Sequence, residues 1–265
     1  MALFKCFLPI TLQDREQRVL SVVEYDISSG AVIRELIREE SIERGWINLA
    51  AADCLVPLRD GASLLWASER SGFCHLYCLD DRENPQSLRQ ITSGDWQVDC
   101  TGSSFVDEKR GKVYFLGNMD DPRECHLLEA DLNATCGKIR RITMEPGMHT
   151  CIINNARTQF VDTLSATDVP YRVTVKDLND GSTLKVIYDA SGPDISKLAL
   201  KPPEFTTVQS FDGRHVLYMS IYKPPVEKFG PGPYPLLVST YGHPIPCRYL
   251  VSISCVVTIA TIAYL

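Results

Sequence analysis

The sequence has no excess of positive charge. Its 27 lysines and arginines are outnumbered by 33 aspartates and glutamates, and the formal net charge is -6 at pH 7. Proteins that bind nucleic acid neutralise phosphates with a basic face, so this balance argues against a nucleic-acid partner. With 45% apolar and 23% charged residues over 265 positions, the composition is otherwise typical of a globular protein. Such a length suits one large domain or two modest ones.

Motifs for metals, cofactors and disulfides are also lacking. The ten cysteines form no C-x-x-C pair, and no H-E-x-x-H motif, phosphate loop or cysteine-histidine metal spacing is present. We therefore expect neither a metal nor a cofactor. On one strand, Cys74 and Cys78 would lie about 13 Å apart, too far for a disulfide. Buried thiols in a reducing compartment are the better interpretation.

Targeting and membrane segments are weak. The N-terminal MALFKCFLPI is interrupted by Lys5 and makes a poor signal peptide, so a cytoplasmic location is expected. A glycosylation sequon at Asn133 matters only in a secreted chain. Residues 249–265 carry no charge over 17 positions, short of the roughly 20 that a spanning helix needs. This tail also suits a buried strand.

What the first 200 residues do contain is strand-type alternation and an internal repeat. His75-Leu76 recurs as His126-Leu127, and the RQIT that begins at Arg89 recurs as RRIT at Arg140, both 51 residues later. Four aspartates close the corresponding strands, namely Asp26, Asp80, Asp131 and Asp177. Units of roughly 40 to 50 residues with about four strands are typical of β-propeller blades. Chance similarity between hairpins is the alternative, but two matches in one register make it weaker.

After residue 200 the pattern changes. KPP at residues 201–203 has the composition of a linker, and two strands with a turn at Asp212-Gly213 follow it. A loop rich in proline and glycine then leads to a strand that ends in YGHP. A second domain therefore begins here.

Several of these segments together resemble the dipeptidyl peptidase IV family of the prolyl oligopeptidase clan of serine peptidases. They are LLWASERSGFCHLY, QITSGDWQVD, RRITMEPGMHT, FVDTLSATDVPYRV, PEFTTVQSFDGRHVLYMSIYKPP and YPLLVSTYGHP. The similarity covers roughly residues 13–244. It implies a mainly β fold, a partial propeller of about four blades over 13–200, and the first strands of a truncated α/β-hydrolase domain over 201–244. Residues 1–12 and 245–265 are unmatched.

The resemblance implies a family that releases N-terminal dipeptides with proline or alanine in second place. Its peptidase domain needs a nucleophilic serine on a G-x-S-x-G elbow, then an acid and a histidine. No two glycines here flank a serine with that spacing, and the last histidine, His243, lies 22 residues from the end. The expectation is a truncated relative that is inactive alone. A tail read out of frame is favoured over a membrane anchor, because the resemblance stops abruptly where the tail begins.

One catalytic position carries over from the family. Tyr241 in STYGHP matches the tyrosine whose hydroxyl donates to the oxyanion, although His243 replaces a small residue just after it. Glu39-Glu40 is not expected to match the family's substrate-anchoring glutamates, and a solvated charge cluster is the better interpretation. The remaining histidines, His75, His126, His149 and His215, and the three tryptophans, Trp46, Trp66 and Trp96, are expected to be structural, with the tryptophans in blade cores.

The sequence leaves two functions open. The chain is either a piece of a peptidase or a non-catalytic propeller module that binds proteins or pairs with a full-length paralogue. A partial propeller leaves open edges, which favour homo- or hetero-oligomers. The partners that the resemblance implies are the peptide substrates of the full-length family, whereas a membrane is an expected partner only if the tail is an anchor.

Overall fold

The chain is mainly β, in a computed structural model that describes residues 7–41, 45–48, 55–58, 61–99, 104–167, 169–191, 202–239 and 257–261. Its described strands form five sheets, four of them with four strands each. Contacts divide the chain into two compact units. The first comprises Met1–Met144, Ile153–Gln159 and Leu178–Gly181, and the second comprises Glu145–Ile152, Phe160–Asp177 and Ser182–Leu265.

Sheet 1 opens the first unit with three antiparallel strands. They are β1 (Phe7–Gln13), β2 (Val19–Asp26) and β3 (Val32–Glu40), joined in that order. The β1–β2 register places Leu8 opposite Tyr25 and Ile10 opposite Val23. The turn after β2 is fixed by Asp26, whose carboxylate accepts from the backbone N–H groups of Ser28 and Ser29. This is an Asx-type turn, as an aspartate at a strand end favours.

Sheets 2 and 3 repeat a single four-stranded pattern. Sheet 2 contains β4 (Val56–Pro57), β5 (Leu64–Ser68), β6 (His75–Leu79) and β7 (Leu88–Gln90), with a 3₁₀ turn at Pro85–Ser87 before the last strand. Sheet 3 contains β8 (Phe105–Asp107), β9 (Lys112–Gly117), β10 (His126–Asp131) and β11 (Arg140–Arg141). In both sheets each strand pairs antiparallel with the next one along the chain.

Sheet 2 is buried on both faces, which explains why every residue of β5 and β6 is buried. On one face Trp66 and Tyr77 pack with Leu20 and Val22 of sheet 1. On the other face the sheet 2 residues Leu65, Leu76 and Cys78 pack with the sheet 3 residues Val113, Phe115 and Leu128. Strand alternation therefore sends successive side chains into two different cores, and stacked sheets of this kind are what propeller blades form.

The predicted repeat is present in the fold. Asp131 and Asp177 end the third strands of sheets 3 and 4, Asp80 directly follows β6, the third strand of sheet 2, and Asp26 ends the second of the three strands of sheet 1. The predicted turn at Asp180-Gly181 is explained by space and by backbone conformation. Gly181 has φ +75°, and a Cβ there would lie 2.4 Å from the carbonyl oxygen of Ile142. Only glycine fits this position without strain.

Two arginines at equivalent repeat positions join the last strand of a sheet to a turn of the following repeat. Arg89 forms two hydrogen bonds with Asp80, at 2.8 and 2.6 Å, and also donates to the carbonyl oxygens of Ala134 and Leu132. Arg140, 51 residues later, pairs with Glu129 and donates to the carbonyl oxygen of Asn179 at 2.7 Å. The planar guanidinium suits this task because it satisfies a carboxylate and a neighbouring carbonyl at the same time.

The second unit contains sheet 5 and all of sheet 4 except the strand ends Ile153 and Gln159. Sheet 4 has β12 (Met148–Ile153), β13 (Gln159–Ser165), β14 (Arg172–Asp177) and β15 (Thr183–Asp189), in chain order. Sheet 5 has β16 (Glu204–Gln209), β17 (Val216–Tyr222), β18 (Leu236–Ser239) and β19 (Val257–Thr261), in the order β16-β17-β19-β18. A short helix, α1 (Val226–Phe229), precedes β18. The tail thus contributes a strand, and no helix among the described residues is long and apolar enough to cross a bilayer.

Two expectations about single residues are wrong. Trp66 and Trp96 are buried, but Trp46 is 53% exposed and fills no blade core. Cys74 is disulfide-bonded, whereas Cys78, Cys125 and Cys151 are buried thiols, as expected, and Cys136 is an exposed thiol. Alternation alone predicts which face a cysteine shares, but it does not show which distant segment approaches that face.

Candidate functional site

The one catalytic position predicted from the sequence lies outside the described residues. Tyr241 and its neighbour His243 follow β18, whose described part ends at Ser239. Among the described residues, buried polar side chains form three groups that hydrogen bonds and ion pairs hold together.

The first group is a histidine–threonine pair that occurs in two successive sheets. The Thr92 hydroxyl oxygen accepts from the backbone N–H of Leu76 at 2.9 Å and lies 3.1 Å from Nδ1 of His75. Nε2 of His75 lies 3.0 Å from the carbonyl oxygen of Gly94, which can only accept. The neutral ring with its proton on Nε2 satisfies every partner. Burial lowers the pKa of His75, while the bond to Gly94 opposes that shift.

The equivalent pair in sheet 3 has the same geometry. Nδ1 of His126 lies 3.1 Å from the hydroxyl of Thr143, which accepts from the backbone N–H of Leu127 at 3.0 Å. Nε2 of His126 faces the carboxylate of Glu124 at 2.8 Å. Both repeat histidines are buried and hydrogen-bonded, as predicted for structural residues. Each ring links a strand to the segment that follows its sheet.

The second group surrounds Glu39, which was expected to be solvated. Glu39 is only 8% exposed, and its Oε1 accepts from the indole N–H of Trp66 at 2.9 Å and from Arg70 at 2.8 Å. Its neighbour Glu40 is exposed, as the sequence predicts. Burial raises the pKa of Glu69, with a smaller contribution from the charge of Glu39 and an opposing bond from Asn48. Because its carboxylate accepts hydrogen bonds from Trp66 and Arg70, Glu39 of sheet 1 is cross-linked to sheet 2.

The third group is a charge network inside sheet 4. Nδ1 of His149 lies 2.8 Å from Asp162 Oδ1, and Lys176 Nζ lies 2.8 Å from Asp162 Oδ2. Lys176 also approaches Glu145 at 3.3 Å, and Glu145 pairs with Arg172. The side chains of His149 and Asp162 are completely buried, and that of Lys176 is 4% exposed.

His149 adds a second link in this network. Its Nε2 lies 2.8 Å from the carbonyl oxygen of Glu145, so the ring bridges Asp162 and the backbone before β12. Burial alone would raise the pKa of Asp162, but hydrogen bonds and positive charge from His149 and Lys176 outweigh burial and lower it. A buried carboxylate beside a lysine ammonium and hydrogen-bond donors is stabilised as an anion.

Each of these groups links strands or neighbouring sheets through hydrogen bonds and ion pairs. The rings of His75, His126 and His149 lie within hydrogen-bond distance of threonine hydroxyls, backbone carbonyls or carboxylates. Within the described ranges, no group of three or more histidine, cysteine or acidic side chains is arranged to hold a metal ion. Sequence reasoning missed the Asp162–Lys176 pair. The pair could have been recognised from a charged residue at an alternate position that faces the core in each of two neighbouring strands, FVDTLS and RVTVKD.

Comparison with known proteins agrees with this architecture. The family model for the dipeptidyl peptidase IV N-terminal region matches residues 7–171, which include sheets 1 to 3 and much of sheet 4. The chain belongs to the dipeptidyl peptidase IV family. The match covers the propeller region of that family, so the four-stranded antiparallel sheets are propeller blades.

Individual relatives support the family at low identity. Dipeptidyl peptidase 8 of mouse and of human is 28% identical and covers 90% of this chain. A probable dipeptidyl-aminopeptidase B of Neosartorya fischeri is 24% identical over 87% of the chain. The crystal structure of Porphyromonas gingivalis dipeptidyl peptidase 4 superposes on 81% of the chain, with a TM-score of 0.68 and 18% identity, and shows the same fold.

The chain is much shorter than these relatives. It spans 29% of each dipeptidyl peptidase 8 and 26% of the fungal protein. It also spans 29% of the bacterial chain of known structure. Family membership therefore rests on the propeller region.

Proposed function

We propose that this chain is the propeller portion of a serine-type dipeptidyl peptidase together with the beginning of its α/β-hydrolase domain, and that these 265 residues do not cleave peptides by themselves. The observation that carries the proposal is the family match to the propeller region in a sequence without a G-x-S-x-G elbow. Acyl transfer by such enzymes needs an activated serine and a base, and neither has a counterpart here.

Strand β18 supports the hydrolase part of the proposal. Leu236, Leu237 and Val238 are consecutive, so they project to both faces of the sheet, and they are 62%, 47% and 53% exposed. A strand that is apolar on both faces is typical of an α/β sheet, in which helices cover both sides. In a longer chain of this family, Tyr241 would follow this strand and donate its hydroxyl to the oxyanion.

Hydrolysis of a Gly-Pro or Ala-Pro chromogenic amide tests the proposal. The purified chain is expected to release no chromophore above the rate of buffer alone, because nothing replaces the missing nucleophile. A full-length family member assayed beside it confirms the substrate and conditions. Turnover by the chain that is abolished by a serine-directed fluorophosphonate would contradict the proposal.

A second candidate function is a non-catalytic propeller module that associates with other propellers. It is favoured by the apolar side chains that sheet 1 leaves exposed, including Leu8 and Leu12 at 48% and 45%. Co-purification with a full-length paralogue at fixed stoichiometry would support this function, and a chain that stays monomeric alone and in mixtures would contradict it.

A further inference from the structure

The glycosylation sequon of the sequence lies in the turn that follows β10 in sheet 3. It consists of Asn133, Ala134 and Thr135, without a proline between the asparagine and the threonine. Asn133 and Thr135 are both exposed. Leu132, directly before them, is 5% exposed and packs in the core that sheet 3 shares with sheet 2. The buried leucine anchors the turn, and the sequon lies on its outer side.

Hydrogen bonds hold the backbone on both sides of Asn133. The carboxylate of Asp131 accepts from the backbone N–H of Asn133 at 2.9 Å, which makes an Asx-type turn. Arg89 donates to the carbonyl oxygens of Leu132 and Ala134, at 3.1 and 2.6 Å. These bonds fix the direction in which the Asn133 side chain leaves the turn.

The amide of Asn133 is available for modification. Within the part of the chain that the structure describes, its Nδ2 donates no hydrogen bond. This nitrogen lies beside Gly111, where a Cβ would stand 2.9 Å from it. Glycine at position 111 therefore leaves that side of the amide free of a second side chain.

The internal repeat supplies a matched position without the sequon. Asp177, Leu178 and Asn179 repeat the DLN that begins at Asp131, and they follow the third strand of sheet 4 in the same way. Leu178 is 1% exposed and Asn179 is exposed, so the turn again buries its leucine and projects its asparagine. Asn179 is followed by aspartate and glycine, which lack the hydroxyl that a sequon requires.

The disulfide of Cys74 is an independent observation in favour of an oxidising compartment. Disulfides form and persist in secreted proteins and in the lumen of the endoplasmic reticulum, and they are rare in the cytosol. The poor N-terminal leader favours the cytosol, but the sequon has a chemical use only where the disulfide also forms. The two features therefore point to the same surroundings.

We propose that Asn133 is the acceptor of an N-linked glycan, which covers the turn after β10. In the transfer, Nδ2 of Asn133 forms a bond to C1 of an oligosaccharide and loses one proton. The bond from C1 to the pyrophosphate of a lipid-linked donor breaks, and the pyrophosphate leaves with the electron pair. The inference is independent of both functions proposed above, because neither of them uses this turn.

Expression of the full chain in a eukaryotic cell, behind a cleavable secretory leader, tests the acceptor. Treatment with PNGase F is expected to remove one glycan and to leave aspartate at position 133, which peptide mass spectrometry identifies. Asn133→Gln and Thr135→Val should abolish the glycan, whereas Thr135→Ser, which keeps the hydroxyl, should retain it. Asn179→Gln is the matched control in the equivalent turn and should be glycosylated as the unmodified chain is.

These outcomes do not depend on the stability of a variant, because transfer takes place while the chain is being translocated. A chain that loses its leader but carries no glycan would overturn the proposal. A glycan that persists in the Asn133→Gln chain, or that is kept equally by Thr135→Val and Thr135→Ser, would also overturn it.

The thiol of Cys136 reports whether the glycan covers the turn. Cys136 is exposed and follows Asn133 by three residues, which span at most about 11 Å. Because a glycan is bulky, its removal from the native chain should speed the reaction of Cys136 with a maleimide that carries a polyethylene glycol chain. The Asn133→Gln chain should react at the faster rate with or without PNGase F. Equal rates before and after removal of the glycan would overturn the covering role.

Discussion

Replacing Asp162 with asparagine tests the charge network of sheet 4. The carboxylate is completely buried, 2.8 Å from His149 on one side and 2.8 Å from Lys176 on the other. Removing one member of a buried ion pair typically costs about 3–5 kcal/mol, because the remaining charge loses its partner without regaining water. Asp162→Asn removes the anion that Lys176 and His149 share and leaves Lys176 its longer contact with Glu145, so we expect a loss of local stability in that range. Lys176→Met leaves Asp162 paired with His149, and its effect should be smaller.

Hydrogen exchange followed by mass spectrometry is the suitable assay. Trp46, Trp66 and Trp96 all belong to the first unit, so tryptophan fluorescence would not follow sheet 4. A loss of 3 kcal/mol corresponds to exchange about 100-fold faster for opening-limited amides of β13 and β14, since about 1.4 kcal/mol is a factor of ten. Peptides from β5 and β6 serve as the internal reference. Glu16→Gln, at a side chain 77% exposed, removes one negative charge as a control.

Unchanged exchange in β13 and β14 of the Asp162→Asn chain would refute this reasoning. The network would then contribute nothing beyond what its burial costs. An equal effect of Asp162→Asn and Lys176→Met would contradict the role of His149 as a second partner of Asp162.

Three further predictions concern the first unit and the thiols. Arg89→Ala should lower the urea stability reported by tryptophan fluorescence by about 1–3 kcal/mol, because hydrogen bonds to charged groups are lost; an unaltered midpoint would exclude a linking role for Arg89. Since burial lowers the pKa of His75, the unfolded chain binds its proton first, and stability should fall as the pH drops from the ordinary histidine value of about 6.5 towards the folded value. A His75→Gln chain that keeps the full slope would argue against this source. Cys136 is exposed and should react with a thiol reagent in the native chain, whereas Cys78, Cys125 and Cys151 are buried and should react only in denaturant, as thiol titration would measure.

Alternation and the repeat were enough to predict the blades. FCHLYCLD sends Cys74 and Leu76 to one core and Tyr77 and Leu79 to another, as strand geometry requires. The aspartates that end strands are predictable because their side chains satisfy the turn that follows. These features depend on neighbours in sequence, so the sequence contains the information directly.

Buried charges could not be predicted in the same way. Glu39 is 31 residues from Arg70 and 27 from Trp66, and only the packing of two sheets brings them together. Asp162 and Lys176 meet across neighbouring strands, where their opposite charges stabilise each other in the buried interior. The exposure of Trp46 likewise depends on which segments reach it, and a residue's hydrophobicity does not decide that.

Labelling by a serine-directed fluorophosphonate tests the central claim most directly. We predict that the intact mass of the native 29.7 kDa chain stays unchanged, while a full-length dipeptidyl peptidase treated alongside gains one adduct. A stoichiometric adduct on a single serine of the native chain, which does not form when the chain is denatured before treatment, would contradict this prediction. It would show that these residues include an activated serine nucleophile.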